Sequence, residues 1–151
     1  MAYNTVKVKK YSDIIEEYEA VAAITPGHLL ELTSAGKVQK HSVAGGNVLP
    51  MFALENELEG GGLTDDYAAA DVVQVWIPGR GDQVYALLAD GESVVIGDYL
   101  ESAGTGRLRE RITESAGATG FESIVGQALE ALDLSGSSGE EPTNRILVRV
   151  I

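Results

Sequence analysis

The 151-residue chain contains no cysteine. This absence excludes disulfide bonds, thiolate nucleophiles and thiolate metal ligands, so catalysis or metal binding would need other side chains. Aromatic residues are also scarce, at 6% of the chain with a single Trp. We therefore do not expect the aromatic-lined sugar cleft that glycoside hydrolysis requires.

Basic residues are few, with 11 Lys and Arg against 23 Asp and Glu and a formal net charge of −12 at pH 7. This charge disfavours binding to a phosphate backbone, and we expect no direct nucleic-acid partner. Arg107, Arg109 and Arg111 alternate on one face of a predicted strand. We interpret that face as solvated.

Long apolar runs are missing as well. No run is long enough to span a bilayer, and the first residues lack the apolar core of a signal peptide. We expect a soluble protein that is made in the cytoplasm and has no membrane partner.

No arrangement of residues matches a catalytic or cofactor-binding motif such as GxSxG, HExxH or GxxxxGK[ST]. His28 and His41 lie in or beside predicted strands, with no serine or acid at a recognisable spacing. Acidic residues surround Gly60–Gly62 in the long loop 55–71, which we interpret as solvated, with a calcium site as the alternative. We expect no enzymatic activity, no cofactor and no metal site.

An internal repeat is the clearest pattern in the chain. Residues 94–111 (VVIGDYLESAGTGRLRER) are predicted to form two strands joined by a glycine turn. Residues 24–41 (ITPGHLLELTSAGKVQKH) place glycine, leucine and glutamate at matching positions. The chain is therefore predicted to contain two similar β-units. Two further pairs of blocks match in the same order, 52–55 (FALE) with 127–130 (QALE) and 72–76 (VVQVW) with 147–151 (LVRVI).

Frequent glycine turns between short apolar segments predict a mainly β chain, either a small barrel or a sandwich. We predict strands at residues 72–77, 83–88 and 145–151. Residues 48–54 contain a proline that favours an edge strand or a bulge. Residues 121–132 have helical spacing, but Gly126 weakens a helix there, and we choose a strand for both segments.

Two segments carry helix signals. Residues 14–22 fit either a short helix capped by Ser12 or a strand from Tyr18 onward. Thr64 is a suitable cap for a short helix at residues 65–70.

The first residues alternate in a strand-like pattern and form a predicted extended arm. Such an arm can pair with a sheet edge of the same chain or of another chain, and we expect the rest of the chain to fold without it. We divide the chain into the arm, residues 1–19, and a β-barrel domain, residues 20–151, with repeats at 20–80 and 81–151. The candidate interface residues of the arm are Tyr3, Val6, Lys7, Val8, Lys9, Lys10, Tyr11, Ile14 and Ile15.

The second half of the chain resembles the head decoration, or capsid cement, proteins of tailed bacteriophages. The resemblance lies in residues 91–100 (GESVVIGDYL), 125–131 (VGQALEA) and the terminal strand that ends at residues 148–151 (VRVI). It implies a small β-barrel or β-tulip-like fold with an extended amino-terminal arm and at most one or two short helices. It also implies a place on the outer capsid surface of the virion, after synthesis in the host cytoplasm.

By this resemblance the chain would be a homotrimer that binds the major capsid protein and staples neighbouring capsid subunits, stabilising the expanded shell. Burial of apolar surface and multivalent attachment would supply the strength of such a staple. The alternatives are a head fibre or other virion structural component, and a small ligand-binding β-barrel domain. A pocket lined by His28 or His41 would favour the ligand-binding alternative.

Overall fold

The computed structural model describes residues 2–11, 13–112 and 123–151. These residues form thirteen short strands and one 3-10 helix, Glu57–Glu59, which confirms the prediction of a mainly β chain. No helix in the described part is long and apolar enough to cross a membrane. The strands in chain order are β1 (Lys7–Lys9), β2 (Ile15–Glu19), β3 (Leu30–Leu32), β4 (Val38–Lys40), β5 (Phe52–Ala53), β6 (Val72–Trp76), β7 (Gln83–Leu87), β8 (Ser93–Val94), β9 (Tyr99–Ser102), β10 (Leu108–Glu110), β11 (Ile124–Ala128), β12 (Leu132–Asp133) and β13 (Arg145–Val150).

Antiparallel pairing arranges these strands in open sheets. The largest sheet has the order β1-β7-β13-β11-β9-β10, and the smaller sheets have the orders β2-β6-β5, β3-β4 and β12-β8. Within the described residues, β1 and β10 are the two ends of the large sheet and do not pair with each other. The predicted barrel is therefore not closed by strand pairing.

Two units with the same strand plan make up the fold. The predicted match of residues 72–76 with 147–151 is wrong by two residues, because Val75 lies opposite Ala53 and Val148 lies opposite the equivalent Ala128. In the first unit β6 pairs with β2 and β5, and in the second β13 pairs with β7 and β11. The hairpins β3–β4 and β9–β10 have matching registers, since Leu30 lies opposite Lys40 and Leu100 lies opposite Glu110. The bounds of the arm and of the repeats remain predictions. The strand pairs shared by the two units begin at β2, which lies within the residues assigned to the arm.

Single backbone contacts also match between the units. Gly27 and Gly97 both have a positive φ, of 94° and 100°, a conformation that costs glycine least. The Gly27 N–H donates to the Ala53 carbonyl at 2.8 Å, and the Gly97 N–H donates to the Ala128 carbonyl at 3.0 Å. We call two residues equivalent when they hold the same place in this shared pattern.

The helix alternatives are wrong. Residues 14–22 contain the strand β2 instead, and their predicted cap, Ser12, lies outside the described residues. Residues 65–70 form no helix, because the buried Tyr67 forms a bridge with Ile24. Its hydroxyl also donates a hydrogen bond of 2.7 Å to the Leu54 carbonyl, which ties this segment to the core.

The two segments with conflicting signals are strands, but they differ in position. β5 is a short edge strand, as Pro50 predicts. β11 lies between β13 and β9, and its register shifts between Ile124 and Gly126. A Cβ added at Gly126 would lie 2.5 Å from the Arg149 carbonyl oxygen, so glycine allows the close approach of the neighbouring strand. Residues 121–122 lie outside the described residues.

The larger hydrophobic core is shared by the arm and both units. Val6 of the arm, Trp76 of β6 and Leu100 of β9 are all fully buried in it. A smaller cluster lies within the first unit and includes Ile24 and Tyr67. The two units therefore fold around a common interior.

Candidate interaction surface

The arm pairs with its own chain, so the same-chain alternative is the observed one. β1 runs antiparallel to β7, with Lys7 opposite Val84. The Thr5 hydroxyl donates to the Glu55 carboxylate, and the Val6 N–H donates to the same group at 3.2 Å. Because β7 belongs to the second unit and Glu55 to the first, the arm connects the two units.

The structure separates the predicted interface residues of the arm into two groups. Val6 is fully buried, and Tyr3 packs edge to face on Tyr85 with the ring centroids 5.3 Å apart. Lys7 and Val8 are half-buried. Val6 therefore has no surface to offer a partner in this conformation. The exposed group, which we call the outer arm patch, consists of Lys9, Lys10, Tyr11, Ile14 and Ile15.

A buried aspartate holds one end of the outer arm patch in place. The Asp82 carboxylate accepts the Tyr11 N–H at 2.6 Å and the Gly79 N–H at 2.8 Å. Asp13 forms an ion pair with Lys10 at 2.6 Å. The patch is therefore fixed to the turn before β7.

The two units meet at a buried contact between the turn 25–29 of the first unit and the turn 104–107 of the second. The Leu29 N–H donates to the Gly106 carbonyl at 2.8 Å, and the Gly106 N–H donates to the His41 carbonyl at 3.1 Å. We call this the unit contact. No sequence motif predicted it.

Both histidines belong to the unit contact and are buried. His28 Nδ1 accepts the Thr25 N–H at 2.9 Å. His41 Nδ1 lies 2.8 Å from the Ser102 hydroxyl, and His41 Nε2 lies 3.1 Å from the Asn47 carbonyl. These protein partners give the imidazoles a structural role, and the arrangement does not favour the ligand-binding alternative.

Arg107 lies under the unit contact with its side chain buried, so the prediction of a solvated face is wrong for this residue. Its guanidinium donates to the carbonyls of Leu88 at 3.1 Å, Glu141 at 3.0 Å and Glu140 at 2.8 Å. It also forms an ion pair with the Glu140 carboxylate at 2.5 Å. Burial lowers the pKa of Arg107, but these partners keep the cation in place.

Arg145 fills the other side of the unit contact. Its Nη2 donates to the Leu63 carbonyl at 2.6 Å, and its guanidinium lies 6.0 Å from the centroid of the Tyr85 ring. Burial lowers the pKa of Arg145 to about 10, which leaves the group charged at neutral pH. The guanidinium packs against Gly27, where a Cβ would collide with it.

The stability of the fold should depend on the protonation of His28. Burial lowers the pKa of His28 from 6.5 to about 3, and nearby basic side chains act in the same direction. The unfolded chain therefore binds this proton at a higher pH than the folded chain does. Stability should fall as the pH falls from about 6.5 towards 3, by about 1.4 kcal/mol per pH unit from this group.

Urea unfolding of the wild type and of His28→Asn between pH 4 and pH 7 tests this expectation. Asn keeps an acceptor for the Thr25 N–H but does not titrate, so the difference in stability between the two proteins should shrink or reverse at low pH. Parallel pH dependences would contradict the assignment.

In the described part of the chain, no group of three or more His, Asp or Glu side chains is arranged to hold a metal ion. Several acids of the loop 55–71 bind backbone groups instead. Asp65 accepts the Gly62 N–H at 2.7 Å, and Asp71 accepts the Ala68 N–H at 2.8 Å. These carboxylates stabilise the turns of the loop.

No protein-family model matches the sequence, and no curated protein matches it. The fold does match a solved structure, the crystal structure of the head fiber gp8.5 N base in bacteriophage phi29. The TM-score is 0.58 at 11% sequence identity, and the match covers 93% of this chain and 95% of that chain. At this identity the likeness shows a shared fold, and function has to be argued separately.

Proposed function

We propose that the chain is a structural protein of a tailed-bacteriophage head, which attaches to the outer capsid surface as the base of a head fibre. The observation that carries this proposal is the fold shared with the phi29 head fiber base over 93% of the chain. The resemblance of the second half to head decoration proteins supports the same location. In this proposal the partners are the major capsid protein and further copies of the chain, as a homotrimer.

The use of the polar groups in the core supports a structural role and not an enzymatic one. His28 and His41 are bound by protein groups within the unit contact. Arg107 and Arg145 donate hydrogen bonds to backbone carbonyls of their own chain. All four side chains are thus bound by groups of their own chain, and two of them, His41 and Arg145, bind across the two units.

The outer arm patch is the surface that we propose for attachment. Tyr11, Ile14 and Ile15 offer exposed apolar area, and Lys9 and Lys10 suit an acidic patch on the capsid. Each such contact is weak alone, because ordering costs offset the burial of apolar area. Attachment through several copies raises the overall strength.

The capsid cement function is the second candidate, and the fold likeness favours the fibre base over it. The two functions differ in their effect on the shell. A cement protein should raise the temperature at which capsids break, because it ties neighbouring subunits together, whereas a fibre base should leave that temperature unchanged.

Co-sedimentation tests the attachment. The purified chain is mixed with capsids, made without it, of the phage that encodes it, and we expect saturable binding to the outer surface. Ile14→Asp should weaken binding at least tenfold, whereas Leu49→Asp, a change at an exposed apolar residue outside the arm, should not. Absence of binding by the wild type would refute the function, and equal binding by both variants would refute the patch.

A further inference from the structure

The duplication allows each surface of one unit to be compared with its equivalent on the other. Residues 25–29 of the first unit are buried beneath the second unit. The equivalent residues of the second unit are exposed, with Val95 at 60%, Ile96 at 70% and Tyr99 at 48%. The same position in the fold is therefore buried in the first unit and exposed in the second.

The space around the two equivalent glycines shows the same difference. A Cβ at Gly27 would meet the Arg145 guanidinium and, at 3.2 Å, the Tyr85 carbonyl oxygen. A Cβ at Gly97 would meet no described atom within 4 Å. An open depression lies there, lined by residues 97–99 and 110–111.

The depression corresponds to the place where the units meet within the chain. Its lining residues are equivalent to residues 27–29 and 40–41, which receive the turn 104–107 of the second unit. The contact within the chain therefore shows that a glycine turn such as 104–107 fits a depression of this kind. We call the exposed surface around residues 95–99 the acceptor surface.

The first unit carries the complementary surface, also uncovered. Its turn 34–37 is equivalent to the turn 104–107, and Gly36 has no described atom within 4 Å of an added Cβ. Val72 is equivalent to Arg145, since each lies opposite the last residue of the strand with which it pairs, β2 in the first unit and β7 in the second. Val72 is 55% exposed, whereas Arg145 is 6% exposed. We call this surface the donor surface.

We propose that the donor surface of one copy binds the acceptor surface of the next copy, which repeats the unit contact between chains. The turn 34–37 would enter the depression, and the Tyr99 N–H would donate to the Gly36 carbonyl of the neighbouring copy. Within the chain, the Leu29 N–H makes the equivalent bond to Gly106. The partner is a second copy of the chain, because every copy carries both an exposed acceptor surface and an exposed donor surface that fits it.

This contact is heterologous: every copy uses one donor and one acceptor surface. Heterologous contacts form a ring when the rotation closes and a filament when it does not. The inference rests on the self-association part of the proposed function and is independent of binding to a capsid. If the chain self-associates in this way but does not bind capsids, only the proposed attachment to the capsid is refuted.

Two variants and their mixture test the proposal by sedimentation velocity. Ile96→Asp disables the acceptor surface, and Val72→Asp disables the donor surface. Both sites are exposed, so both variants should keep the wild-type unfolding midpoint at a protein concentration at which copies are dissociated. We expect the wild type to be an oligomer and each variant alone to be a monomer. The equimolar mixture should form dimers and nothing larger, because only one intact donor can meet one intact acceptor.

The proposal is overturned if the wild type is a monomer at every concentration, or if either variant assembles like the wild type. A mixture that stays monomeric would also overturn it, because two substitutions on one and the same self-complementary surface would give that result. Leu49→Asp, an exposed apolar site outside both surfaces, serves as the control and should assemble like the wild type.

Discussion

Replacing Arg107 with Met should lower the free energy of unfolding by at least about 3 kcal/mol. The equivalent change in the first unit, Lys37→Met, should cost less than about 1 kcal/mol. The two residues hold the same place in the shared strand plan, so the pair compares a buried cation that binds remote segments of its unit with an exposed cation at the same place.

The difference follows from the surroundings of the two cations. Removal of the buried Arg107 guanidinium leaves the carbonyls of Leu88, Glu140 and Glu141 without this donor and the Glu140 carboxylate without its partner. Lys37 instead pairs with Glu19, and both side chains are more than 40% exposed. Exposed ion pairs of this kind contribute little, because water and salt screen them.

Urea unfolding followed by fluorescence provides the measurement, because Trp76 is the single tryptophan and is fully buried. Both variants should be compared with the wild type at a protein concentration at which copies are dissociated, so that association does not contribute to stability. Equal losses for the two variants would contradict a stabilising role for the buried Arg107 guanidinium.

Removal of residues 2–10 should destabilise the fold by at least about 3 kcal/mol. Val6 would leave the shared core, and the buried Glu55 would lose the donors that Thr5 and Val6 provide. The edge of β7 would also lose its ladder with β1. This expectation is the opposite of the one drawn from the sequence, by which the rest of the chain folds without the arm.

Thermal unfolding of the truncated chain tests the role of the arm, with a double variant of Lys9 and Lys10 to Ala as the control. The control keeps β1 and removes only exposed cations, so its unfolding midpoint should stay close to that of the wild type. Val6→Ala should lie between the two. An unchanged midpoint for the truncated chain would show that the arm is only attached to the fold and does not support it.

The sequence predicted the strand plan well because that plan depends on local turn chemistry. Gly27 and Gly97 hold left-handed turns, and Gly36 and Gly106 hold the tips of the two hairpins. A turn that requires positive φ restricts the residue type at its own position, so the repeat was visible as spaced glycines. The two-unit plan could therefore be predicted without knowing which strands pair across the chain.

The errors arose where distant residues decide the structure. The helix predicted at 65–70 is replaced by an extended segment, because Tyr67 finds a bridge and a hydrogen bond in the core of its unit. Arg107 alternates along its strand like a solvated residue, but the carbonyls that surround it come from remote segments. Local periodicity contains no information about either partner.

For the candidate surfaces too, the sequence predicted the local pattern, and only the structure showed which residues are exposed. The arm was visible as an alternating stretch at the start of the chain, but its sequence did not show that Val6 faces the core and Tyr11 faces solvent. The acceptor surface had a weak signal, since Val95 and Ile96 are apolar where the first unit has Thr25 and Pro26. That signal has meaning only once the structure shows which of the two turns is covered.

The central proposal is that the chain is a structural protein of a phage head, and quantitative mass spectrometry of virions purified from a phage that carries its gene tests it. The measurement compares the chain with the major capsid protein, before and after mild proteolysis of the particle surface. We predict a fixed molar ratio to the capsid protein and selective loss of the chain on proteolysis. A chain that is abundant in the lysate but absent from purified virions would contradict the account.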